Sequence, residues 1–137
     1  MAFTGNYTCN SFKSGLLSGD FDFDTPGDTI KMALYTNAAT LDEDTAIYTT
    51  VGEVSASGYT ASGVTLTVEK GLTNNTAFIS FENVTITAAL VARGALIYKD
   101  GGAAICVLDF GSDKTSTNTF IVTFPTASSA DALIRLT

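Results

Sequence analysis

The sequence contains no histidine and no tryptophan, and only two prolines and two cysteines in 137 residues. Without histidine there is no Ser-His-Asp or Cys-His nucleophilic site, no imidazole general base and no imidazole zinc ligand. Two cysteines alone do not complete a structural zinc site. Charge is scarce as well: charged residues make up 15% of the chain, against roughly 25% in ordinary soluble proteins. The seven cations are scattered (Lys13, Lys31, Lys70, Arg93, Lys99, Lys114, Arg135) and the formal net charge is −7. Such a surface repels phosphate backbones, so nucleic-acid binding is not expected. No apolar run approaches the roughly 20 residues that span a bilayer, so a membrane partner is not expected either. The first residues carry neither a basic region nor an apolar core, and synthesis in a cytoplasm is the expectation. In that setting a disulfide between Cys9 and Cys106 is disfavoured, and Cys106, within an apolar run, reads as a buried inert thiol.

What is present is a high apolar fraction, 45%, with a polar complement of Thr, Ser, Asn and Gly. A domain of this length buries about two-thirds of its unfolded surface, and the composition is not that of a disordered chain. Short β-prone runs closed by Gly, Asn, Asp or Ser recur along the sequence. Eight stand out: 29–36, 64–69, 77–81, 84–87, 92–98, 103–110, 119–124 and 132–137. Ile30, Met32 and Leu34 fall on one face at period two, and 64–69 alternates without a break. Lys99-Asp100-Gly101-Gly102 is a hairpin signal, and 111–118 reads as a polar loop. Helical character is confined to Asn10–Leu17, where Gly15 weakens it.

These runs predict an all-β, single-domain fold over residues 1–137. The expected form is a β-sandwich or jelly-roll-like barrel of about eight strands with at most one short N-terminal helix. Residues 1–28 read as an extended arm with a short helical turn. Two long connections, Asn37–Asp44 and Gly52–Gly63, are rich in small residues and are expected to form contact surfaces.

Asp20, Asp22 and Asp24 have the alternating spacing of a calcium loop, where oxygen ligands recur at every second residue. The pattern fails beyond them: Thr25 stands where an EF-hand needs Gly, and Lys31 where it needs Glu. The favoured alternative is an extended segment with Phe21 and Phe23 inward, the aspartates in water, and a Pro-Gly turn after them. No metal or cofactor is therefore expected. Asp42, Glu43 and Asp44 form a second acidic cluster, either a solvated loop or a docking contact for a basic partner. Asp109 lies in an apolar strand and needs a cationic partner if buried, with Arg93 and Arg135 as candidates. Tyr59, flanked by small residues, is the candidate exposed anchor of an interface. The residues expected to bind a partner are thus Tyr59, Asp42, Glu43, Asp44 and Arg135, in a protein that is not an enzyme.

Several separated blocks resemble a group of small proteins from tailed-phage genomes and prophages. They are residues 1–13, Ile30–Asn37, Glu53–Ser55 with Gly58–Thr60, Arg93–Tyr98, Leu108–Lys114 and Phe124–Thr126. The segment after Lys13 departs from the group in being richer in glycine, which argues for a short first helix. The resemblance implies a virion component of the capsid decoration, or cement, type. Such a protein sits on the capsid exterior, binds the outer surface of the major capsid protein, and is often a homotrimer. A tail, collar or fibre subunit is the alternative within the particle. A carbohydrate-binding adhesin module, with calcium at Asp20, Asp22 and Asp24, is the alternative outside that class.

Overall fold

The computed structural model describes residues 3–137. Its elements run β1 (Tyr7–Thr8), α1 (Asn10–Ser18), β2 (Ile30–Tyr35), β3 (Val64–Thr65), β4 (Val68–Thr73), β5 (Thr76–Phe81), β6 (Val84–Ile86), β7 (Val91–Lys99), β8 (Ala104–Thr115), β9 (Phe120–Val122) and β10 (Ile134–Leu136). The fold is all-β with one short helix, as the sequence predicts. Every one of the eight expected runs overlaps a strand.

Strand β2 explains why the fold has two interiors. Its sequence is apolar at nearly every position, the pattern of a strand covered on both faces. Ile30, Met32 and Leu34 enter one core cluster, while Ala33 and Tyr35 enter a second. Strand β7 repeats the division, with Ala95 and Ile97 on the first side and Leu96 and Tyr98 on the second. These strands lie at the centre of an antiparallel sheet of order β1-β8-β7-β2-β3. In β8 the alternation slips: Ile97 pairs with Cys106 and Tyr98 with Ala104, leaving Ile105 as an extra residue. The bulge turns Ile105 and Cys106 to the first cluster, with Ala104 and Val107 in the second.

The first cluster is closed by α1, by a three-stranded sheet β10-β5-β4 and by the pair β6-β9. The second is closed by Phe3, Cys9 and the long connection between β2 and β3, through Ala39 and Leu41. That connection then runs along the open end of β2, where the Thr36 N–H donates to Gly52 O and the Val54 N–H to Leu34 O. Its 52–63 part gives Val54 and Tyr59 to the first cluster. The two segments expected to be contact surfaces thus also cover the core, through Ala39, Leu41, Val54 and Tyr59, while many of their other residues stay exposed. Their small residues allow the close approach: at Gly63 (φ 85°) a Cβ would stand 1.9 Å from Met32 O, which only glycine tolerates.

The run expected to be one strand over 64–69 changes partner midway. β3 pairs with β2 and β4 with β5, and buried Leu66 sits at the corner, its N–H donating to Ile30 O. The extra strands come from this split and from β1, which pairs Tyr7 with Val107 and Thr8 with Cys106. Strand β8 also outruns expectation. Residues 111–115 continue it after Gly111 (φ 84°), because Lys114 and Thr115 find partners in Ala92 and Val91. The 99–102 turn forms as predicted, closed by the Gly102 N–H on Lys99 O at 2.8 Å. Cys9 and Cys106 are both buried free thiols in different clusters. Burial pushes the Cys9 thiol up to about 11.

Candidate interaction surface

Helix α1 begins after extended Cys9 and ends at Gly19 (φ 76°), the left-handed position that glycine occupies without strain. Asn10 ties its first turn to the acidic loop, donating from its backbone N–H to Glu43 O and from Nδ2 to Asp44 Oδ1. The helix buries Phe12 and Gly15. A Cβ at Gly15 would lie 2.7 Å from the Phe21 ring, so glycine here is a packing requirement. It brings the 20–28 segment onto the helix. Phe21 stands edge-on to Phe12 at 5.0 Å between centroids and stacks on Phe23 at 6.0 Å. The phenylalanines thus point inward as expected.

The aspartates of this segment organise its own turn. The Asp24 N–H donates to Asp22 Oδ1, the Asp22 N–H to Asp28 Oδ2, and the Asp28 N–H to Asp22 O. Lys99 bonds Asp20 O at 2.6 Å and pairs with Asp28 at 3.2 Å, and Lys70 pairs with Asp24 at 2.6 Å. The Asp22 amide and the Lys99 ammonium together hold the Asp28 carboxyl below the usual range. Among the described residues no three or more acidic, cysteine or histidine side chains converge as a metal site.

Between this segment, α1 and the three-stranded sheet lies an apolar groove of about 520 Å³. Leu16, Phe21 and Phe23 form one wall, and Leu72, Ile79 and Leu136 lie on the other. Leu72 and Leu136 remain 72% and 53% exposed, and Leu17 on the adjoining helix is 92% exposed. Single exposed leucines are ordinary; Leu72 and Leu136 side by side in an apolar groove mark an interaction surface.

The residues expected to meet a partner are placed elsewhere and are not brought together. Tyr59 is a correction: it is 9% exposed and part of the core. Its hydroxyl accepts from the Leu34 N–H at 2.9 Å and donates to Glu53 Oε2 at 2.7 Å. The flanking small residues let it fold inward, where β2 has an amide without a strand partner. Asp42 holds its own turn, accepting from the Asp44 N–H, while Glu43 and Asp44 are exposed beside the helix start. Arg135 is exposed on β10, opposite Phe78.

Sequence reasoning missed Glu53. Its carboxylate accepts from Tyr48 and Tyr59 hydroxyls and from the Ser62 N–H. Tyr48 also stacks on Tyr98 at 5.0 Å. Burial and the Glu53 carboxylate push the Tyr48 hydroxyl up to about 12. A single acid within a tyrosine-bearing, small-residue segment was the available signal. This network pins the long connection to the sheet, and no buried side-chain polar atom among the described residues lacks a partner. No helix among them is long and apolar enough to cross a membrane. No protein-family model, curated protein or solved structure matches the chain.

Proposed function

We propose that the chain is a non-catalytic structural subunit of a tailed-phage particle: a capsid decoration protein that binds the outer surface of major capsid proteins. The observation that carries the reading is the apolar groove lined by the exposed Leu72 and Leu136, with Leu17 exposed on the adjoining helix. Each such side chain buried against a partner contributes about 1.5–3 kcal/mol. The groove's walls, Leu16, Phe21 and Phe23 on one side and Ile79 and Ile134 on the other, are packed against the first core cluster, so little ordering cost opposes binding.

The sequence resemblance supports the same reading. Its blocks at Ile30–Asn37, Arg93–Tyr98 and Leu108–Lys114 coincide largely with β2, β7 and β8, the strands on which everything else is mounted. On this proposal the protein is made in the host cytoplasm and joins the capsid exterior, as a homotrimer. It resists internal DNA pressure by adding buried interface between neighbouring capsid proteins.

Mass spectrometry of separated heads and tails tests the assignment. The chain is expected with the heads, and heads stripped of it should release DNA at a lower temperature. Recovery with tails would move it to a tail, collar or fibre role. Glycan binding abolished by a chelator would move it to an adhesin role, and equal heat resistance with and without it would overturn the cement function.

A further inference from the structure

We infer that the open edge of β4 captures an extended, basic-flanked strand of another protein. The inference rests on the interaction reading above and supplies its mode. Strands β4 and β5 are joined by the two-residue turn Asn74-Asn75, with φ 50° and 67°, a type I′ geometry. In such a hairpin the residues flanking the turn, here Thr73 and Thr76, exchange both ladder bonds, and every second pair repeats this. Gly71 with Phe78 and Glu69 with Ser80 follow, and the Glu82 N–H on Thr67 O at 3.0 Å keeps the same alternation. The N–H and C=O groups of Val68, Lys70 and Leu72 therefore point away from β5. In the sheet order β10-β5-β4 no strand of the described residues lies on that side.

An open ladder of three residues is a template for one more strand. It borders the groove: Lys70 and Leu72 pair with Ile79 and Ala77, and these share the groove-lining face with Ile134 and Leu136. An added strand would place alternate side chains beside that apolar lining while its backbone completes β4. Charge selects the occupant. Asp22 and Asp24 line the groove and Asp20 and Asp28 belong to the same segment, with Lys70 and Lys99 as the cations that contact it among the described residues, so basic flanks are favoured.

A second copy of this chain fits poorly. The antiparallel register that overlaps all three open positions sets Lys70 directly against Lys70, and like charges so placed repel. Both copies would also carry the net −7.

The test uses the full chain and a synthetic peptide that alternates valine and threonine, with a lysine at each end. Amide exchange at Val68, Lys70 and Leu72, followed by NMR, should slow at least about tenfold when peptide is added. Lys70→Pro removes one outward N–H without touching the inner ladder, and should bind the peptide about tenfold more weakly or less. Should that variant lose its native spectrum, Leu72→Asp, at an exposed side chain, carries the same expectation. The peptide with glutamate in place of lysine should not bind.

No slowing at millimolar peptide overturns the inference, as does equal binding by the folded variants. Slowing that grows with protein concentration alone overturns it in favour of a second copy. Failure of peptide capture with the chain still found on heads would remove the edge-strand mode and leave the virion assignment standing.

Discussion

Arg93 and Asp109 form an ion pair across β7 and β8, with side chains only 15% and 13% exposed. The pair sits where the ladder breaks, between Ala92–Lys114 and Gly94–Asp109. Asp109 also accepts from the Gly111 N–H at 2.8 Å, and its own N–H donates to Asn6 Oδ1. Arg93 lies over the Phe3 ring, 5.7 Å from its centroid. One ion pair thus holds an irregular stretch of β8 and ties the N-terminal segment to the sheet. Of the two partners the sequence offered for Asp109, Arg93 is the one that meets it.

Removing one member leaves the other mostly buried without a counter-charge. Asp109→Leu is expected to lower stability by about 3 kcal/mol in denaturant unfolding. The double variant Arg93→Met with Asp109→Leu should be less destabilised than Asp109→Leu alone, because no uncompensated charge remains. A double variant at least as unstable as the sum of the singles would count against the pair.

Glu53 holds the connection between β2 and β3 through three donors. Glu53→Ala leaves them unsatisfied and should cost about 1–3 kcal/mol. The loss should be local first: amide exchange over 45–63 should speed up more than exchange in β7. Tyr59→Phe, which deprives the Leu34 N–H of its acceptor, should fall in the same range. Uniform acceleration across the sheet would instead place Glu53 among the global stabilisers.

Asp28 should make the 20–28 segment acid-sensitive. Its folded pKa is lowered, first by the Asp22 amide and then by Lys99. A lowered folded value means the stabilisation is complete above the unfolded carboxylate range and is lost as pH falls through the folded value. Melting temperatures of the native chain and Asp28→Asn should therefore differ at neutral pH and converge in acid. A difference that persists at the lowest pH would mean the carboxylate charge is not what holds the turn.

The strand runs were legible because period-two alternation and turn residues are local properties of a chain. Ile30, Met32 and Leu34 announce one face of β2, Ala92–Tyr98 announces a strand, and Lys99–Gly102 announces its turn. The same holds for the inward Phe21 and Phe23. What each surface meets is not local. Asn37–Asp44 and Gly52–Gly63 read as contact surfaces by composition, yet Ala39, Leu41, Val54 and Tyr59 of these segments cover the sheet. Tyr59 turns inward because an unpaired Leu34 amide and the Glu53 carboxylate wait there, and neither is its sequence neighbour.

The apolar groove divides in the same way. Sequence alone determined that the domain is all-β, acidic and without histidine, and that Leu17, Leu72 and Leu136 are apolar. Only the tertiary structure decided that these leucines escape burial. The reason is that the interior is filled by two clusters packed against the faces of one sheet. The far face of α1 and the ends of β4 and β10 then find no element among the described residues to cover them.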